Sequence, residues 1–239
     1  VLTLLKTKRM PQLKPNYKFY ATLLDSFTRY LNSDSDEALQ ELLNKINRVP
    51  FTSEAAEKGT AFNELVDLLK KVDTGLPENV LLITKRDVEQ YYYKGFDFKK
   101  HVVDGFVDRY KWAKDQVFAE TILPTSKGNV LVYGFIDEVL PGGLMTDIKC
   151  TSKYDFPKYL QNWQHIVYPY CMHENGIPAP YFIYDVTDYS NNYEESYMYN
   201  PDKDIPRLVE VCEKLIDFIE LQKENITDKK IFALDEVSS

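Results

Sequence analysis

The segment GFIDEVLPGGLMTDIKCT, residues 134–151, carries two aspartates and a lysine at a spacing that can do chemistry. With Pro141, Gly142 and Gly143 as the loop, Leu140 faces Leu144 and the hairpin register sets Asp137 opposite Asp147. Their Cβ atoms are then about 4.5–5.5 Å apart. Lys149 lies two residues beyond Asp147, and alternation puts it on the same face. Like charges directly opposite repel, so this patch calls for a counter-charge. A hard divalent cation with oxygen ligands supplies one, and the Ile148 carbonyl is a candidate third ligand. The competing reading is a solvent-facing hairpin in which Lys149 simply pairs with an acid, although the apolar flanks VLVYGFI and LMT disfavour a wholly exposed face. An even-numbered loop would turn Asp137 to the other face, so the site is a statement about register.

Asp137, a nine-residue gap and then Asp147-Ile148-Lys149 resembles the D…(D/E)xK signature of the PD-(D/E)XK nuclease superfamily. Gly134-Phe135-Ile136-Asp137 resembles the G-hydrophobic-D form of its RecB-type and phage exonuclease branch. Two further motifs follow in order. Gln164 and Tyr168 match that branch's Q-x-x-x-Y helix, at i and i+4 on one face. Gly59-Thr60-Ala61-Phe62-Asn63 resembles its G-x-x-x-H helix, with asparagine where histidine is usual, and TLLDSFTRYL resembles its opening helix. The similarity spans roughly residues 17–188.

The resemblance implies a restriction-endonuclease-like α/β (α+β mixed) core, with a central mixed sheet flanked by helices and a helical N-terminal region. It implies metal-dependent hydrolysis of DNA phosphodiesters, by an exonuclease of recombination or repair type. Asp137, Asp147 and the Ile148 carbonyl would hold Mg²⁺ or Mn²⁺, Lys149 would complete the catalytic set, and Asn63 and Glu120 are further candidate ligands. Glu64 is a weaker candidate acid. Gln164 and Tyr168 would contact the nucleic-acid backbone or brace the site; packing is the plain alternative for a tyrosine in a chain with 18 of them. A catalytically inactive nuclease-fold module that binds nucleic acid or protein is the alternative function. DNA is the implied partner, with a recombination or helicase protein as a further one, and oligomers are compatible. The implied setting is the cytoplasm of a bacterial or phage-infected cell.

Composition narrows the field. With 29 Lys+Arg against 37 Asp+Glu, the net charge of −8 excludes a uniformly basic nucleic-acid coat. The first 30 residues nevertheless carry six Lys/Arg and one acid; a local basic stripe can attract phosphate at short range, and a solvated arm is the plainer reading. Cys150, Cys171 and Cys212 are odd in number and widely spaced, which opposes a disulfide framework, a zinc ribbon or a cysteine-bound cluster. His101, His165 and His173 form no ligand pattern of their own. A P-loop pattern is missing, as is an apolar run of about 20 residues, so neither a motor nor a membrane span is expected.

The positioning elements read as one domain over 1–239: a helical part (1–114), a catalytic sheet with helices (115–226) and a polar tail (227–239). Helical spacing predicts helices over 17–31, from an Asp34 cap to about Arg48, and after Thr52 or Ser53. A mixed helical stretch is expected over 85–114. From 115 the sequence turns to β-formers, giving a meander through QVFAETILPT, NVLVYGFIDEVL and LMTDIKCT. A helix over 155–175, strands in APYFIYDVTDY and YEESYMYN, and a helix over 204–225 complete it.

Overall fold

The structure, a computed structural model, describes residues 13–33 and 35–233. In chain order it runs β1 (Tyr17–Tyr20), α1 (Ala21–Leu31), α2 (Asp36–Ile46), α3 (Glu54–Leu69), β2 (Leu81–Lys85), β3 (Val88–Tyr93), β4 (Phe96–Lys99) and α4 (Lys100–Tyr110). Then follow β5 (Lys114–Leu123), β6 (Val130–Val139), β7 (Met145–Cys150), α5 (Gln164–Glu174), β8 (Tyr181–Thr187), β9 (Asn192–Met198) and α6 (Pro201–Leu221). Six strands make a central mixed sheet in the order β1-β6-β7-β8-β9, with β5 paired to β6 off this path. Helices flank the sheet, so the α/β core expected from the sequence is present.

One long strand organises that sheet. β5 takes one edge of β6 along its full length, so β1 and β7 must share the other edge. β1 pairs in parallel with Val130 to Tyr133, while β7 pairs antiparallel at Glu138↔Thr146 and Val139↔Met145. Residues 134–137 lie between the two partners, where the sheet forks. Two apolar clusters form the core. The larger joins α1, α5 and α6 to the sheet, and the smaller joins α3, α4 and Tyr91, Tyr93 and Phe98 to Ile148 of β7.

Several expected boundaries move, each for a local reason. Residues 17–20 are a strand rather than helix, because alternating Tyr17 and Phe19 pack inward beside β6. Asp34 lies outside the described residues; Ser35 caps α2, its Oγ accepting from Ala38 N–H at 3.2 Å. Ser53 caps α3 in the same way at 3.1 Å. The stretch read as mixed helix over 85–114 holds a second, three-stranded sheet before α4. Its turns at Arg86-Asp87 and Lys94-Gly95 all have positive φ, the conformation of tight two-residue hairpins. The helix read over 155–175 begins only at Gln164. Ahead of it, carboxylates from distant elements take up backbone donors: Glu195 accepts from Lys158 and Tyr159, and Asp25 accepts from Trp163. The tail read as polar from 227 is partly core, since Ile231 and Phe232 are buried and Phe232 bridges to Tyr17. Residues 234–239 lie outside the described chain.

Candidate active site

The hairpin register is the expected one. Leu140 N–H donates to the Leu144 carbonyl at 2.9 Å, and both glycines of the loop take the left-handed φ (93° and 88°) that side chains resist. The register continues to Asp137 beside Asp147, but the two strands diverge there and the side chains take over. Asp137 Oδ2 accepts from the Ile148 N–H at 3.3 Å, and Asp137 Oδ1 accepts from Gln116 Nε2 at 3.3 Å. In a strand the N–H and C=O of one residue leave toward the same edge. The Ile148 carbonyl therefore faces the fork together with its N–H.

Asp147 and Lys149 point from β7 toward α5. Lys149 Nζ lies 2.7 Å from Asp147 Oδ2 and donates to Gln164 Oε1 at 2.6 Å. Gln164 Nε2 in turn donates to Asp147 Oδ1, so one amide bridges the acid and the amine. Gln164 sits in the first turn of α5, and Asp25 of α1 fixes that turn by accepting from Trp163 N–H at 2.6 Å. Tyr168, one helical turn on, lies over Gly134 so closely that a Cβ there would stand 2.7 Å from its ring, which is why β6 needs glycine at the fork.

The electrostatics are those of crowded charge. Burial, and then the neighbouring Asp147, push the Asp137 carboxyl up to about 7. Burial raises Asp25 to about 6. Burial pulls the Lys149 ammonium down, but Asp147, Asp137 and Asp25 outweigh it, and its pKa lies above the ordinary lysine value. Asp147 Oδ2 faces that ammonium yet accepts no hydrogen bond of proper geometry, although it is buried. Two carboxylates crowded at a buried fork, one of them pushed up in pKa, suit a hard cation. Two carboxylates and a carbonyl are oxygen donors of the type Mg²⁺ and Mn²⁺ take.

Other sequence candidates fall elsewhere. Asn63 packs on the opposite face of β7, where its Oδ1 faces Cys150 Sγ at 3.9 Å. Glu64 pairs with Lys94 at 2.6 Å and ties α3 to the second sheet. Glu120 is exposed and pairs opposite Tyr133, four residues along β6 from Asp137, so its carboxylate is carried away from the fork. Gln164 and Tyr168 are both buried, so of their two expected roles the bracing one fits. The three cysteines are free. His165 is buried, stacked on Tyr197 at 4.3 Å, and desolvation lowers it to about 4.

Gln116 and Asp25 escaped the sequence reading. Gln116 could have been found by extending the register through the turn before β6, which pairs Leu123 with Val130 and so brings Gln116 level with Asp137. Asp25 left no local signal, since its partners lie more than a hundred residues away.

A second acidic group, Asp67, Asp115 and Glu138, brings its ligand atoms within 4.8 Å of one another and has the geometry to hold a metal. The cation already there is Lys70. Its buried ammonium contacts Asp67 at 2.9 Å, Asp115 at 2.7 Å and Glu138 more closely still. This cluster joins α3 to β5 and β6 as an ionic core.

No protein-family model and no curated protein matches the chain. Among solved structures, the crystal structure of SSO0001 is similar over 87% of this chain and 79% of its own, at 12% identity and a TM-score of 0.48. That likeness is too slight to bear on function. Among the described residues no helix is long and apolar enough to cross a membrane.

Proposed function

We propose that this chain is a metal-dependent deoxyribonuclease of the PD-(D/E)XK type, hydrolysing DNA phosphodiesters as an exonuclease of recombination or repair. The observation that carries the reading is the convergence at one fork of Asp137, Asp147 and Lys149, with the Lys149 ammonium 2.7 Å from Asp147 Oδ2 and Asp137 reaching the Ile148 N–H. Asp137, Asp147 and the Ile148 carbonyl would hold Mg²⁺ or Mn²⁺. Such an ion supplies polarisation of a phosphoryl oxygen and a bound water of lowered pKa.

The chain's own residues do the rest. Asp137, pushed up to about 7, would have to lose its proton to act as a ligand, so any loading would strengthen with pH. Lys149 places positive charge where the phosphoryl oxygens become more negative, and it orients the attacking water. Gln164 keeps the ammonium and Asp147 in one geometry from the rigid start of α5, while Gln116 and the Ile148 N–H fix the Asp137 rotamer.

The alternative, a nuclease-fold module that binds without cleaving, draws on one observation: Asn63, at the position of the usual histidine, is engaged with Cys150. End-labelled linear duplex and single-stranded DNA, compared with closed circles in Mg²⁺ or Mn²⁺, separate the two. The nuclease reading expects divalent-dependent cleavage that Asp137→Asn, Asp147→Asn and Lys149→Ala each lower by about 10²-fold or more. Full activity in any of these variants, or none in the parent, refutes it.

A further inference from the structure

The outer face of β5 and β6 carries two exposed aromatic side chains, continued by the half-buried Tyr133 and by Tyr20, which also packs against the core. Phe118 is 47% exposed and Phe135 is 53% exposed, and their ring centroids lie 5.0 Å apart. Tyr133 continues the row at 6.3 Å from Phe118, and Tyr20 of β1 extends it at 6.0 Å from Tyr133. Side chains alternate along a strand, so Tyr133 and Phe135 leave β6 on the face opposite Gly134, which Tyr168 of α5 covers. The β5–β6 ladder is interrupted at Gln116, whose φ is positive, and there the Gln116 side chain bonds Asp137. Gln116 is two residues from Phe118 and Asp137 two from Phe135, so the row ends beside the fork.

Cations stand at both ends. At the Tyr20 end are Lys45, 5.7 Å from the Tyr20 ring centroid, and Arg48, which donates to Tyr133 Oη at 3.2 Å. Beyond Asp137 the exposed Lys114 leaves β5 on the same face. Two acids moderate this: Asp228 pairs with Arg48 at 3.3 Å, and Glu120 lies opposite Tyr133. Two open aromatic faces side by side, with cations beyond them at both ends, suit bases that stack and phosphates that run alongside. A base pair inside a duplex offers no such free face.

We infer that the Phe118–Phe135 row is a stacking platform for the unpaired strand of single-stranded DNA, leading its backbone past Asp137. Its placement beside a cleavage centre rests on the nuclease reading above, but its binding does not. The test is fluorescence anisotropy of the full chain in EDTA at low salt, with labelled oligothymidylate and a blunt hairpin duplex as probes. The platform expects the single strand to bind more tightly than the duplex. It expects Phe118→Leu with Phe135→Leu, which keeps apolar bulk but removes the ring faces, to weaken binding about tenfold or more. Both rings are exposed, so the double variant should keep the parental melting temperature. Equal or better duplex binding, or undiminished affinity in the double leucine variant, overturns the inference. So does a parental dimer that the leucine pair disperses, since a second copy would then be the occupant. Ring-dependent binding without divalent-dependent cleavage upholds the platform and refutes the nuclease reading; cleavage with ring-independent binding does the reverse.

Discussion

Replacing Asp137 by asparagine should make the protein more stable at pH 8 while removing the proposed nuclease activity. The folded state holds the Asp137 proton up to about pH 7, against an ordinary carboxyl value of 3.8, because burial and Asp147 oppose the charge. The unfolded chain loses that proton near pH 4, so between the two values folding binds a proton and stability falls as pH rises. The full gap corresponds to on the order of 4 kcal/mol, of which about 3 kcal/mol develops between pH 5 and pH 8. Asparagine matches the neutral acid in shape and keeps one acceptor oxygen for Ile148 N–H or Gln116 Nε2, at a cost of about 1 kcal/mol for the bond it loses. Urea unfolding of both proteins should therefore show a small difference at pH 5 and an advantage for the variant of about 2 kcal/mol or more at pH 8. Millimolar Mn²⁺ should raise the parent alone, by about 2.7 kcal/mol once it exceeds its dissociation constant a hundredfold, and so close the gap. A variant less stable than the parent at pH 8, or a difference unchanged between the two pH values, would refute the reasoning from charge crowding.

Three further perturbations probe the supports of the site. Gly134→Ala places a methyl group 2.7 Å from the Tyr168 ring and should cost about 1–3 kcal/mol in urea unfolding, a loss that Tyr168→Leu in the same chain largely restores; no rescue would show that the fork is not held by this contact. Gln164→Leu removes the amide that bridges Lys149 and Asp147 and should lower kcat about tenfold or more with little change in KM, measured on end-labelled DNA; unchanged kcat would assign Gln164 to packing. Lys70→Met strands the buried Glu138 and leaves Asp115 to Lys71 alone, and should destabilise the fold by about 3–5 kcal/mol, more at pH 8 than at pH 5, because burial already raises Glu138 to about 7 even with its partner present. Restoration of that loss by Ca²⁺ or Mn²⁺ would mean that the pocket accepts a metal once the ammonium is gone.

Local rules carried the sequence reading as far as the hairpin. A Pro-Gly-Gly loop of odd length admits one facing of its strands, so the side-by-side placement of Asp137 and Asp147 follows from counting. The divergence that turns this pair into a cleft does not. It depends on where β1 stops on the far edge of β6, at Tyr133, and where β7 starts, at Glu138, and β1 is more than a hundred residues away in sequence. The same limit hid Asp25 and the irregular run before α5: Asp25 and Glu195 accept backbone hydrogens there that a helix would otherwise have satisfied. Glu120 was misplaced for a different reason. It has the right parity to share a face with Asp137, but strand parity fixes the face and not the position along it, and at about 3.3 Å per residue four positions carry a carboxylate some 13 Å away. The residue level with Asp137 is Gln116, a neutral donor. This substitution has a consequence: an acid there would add a third charge to an already crowded pair, whereas an amide orients one carboxylate oxygen and leaves the electrostatics to Asp147 and Lys149. In the folded chain the Lys149 ammonium and the proton that Asp137 retains to about pH 7 answer that charge, and a bound cation would have to displace the proton.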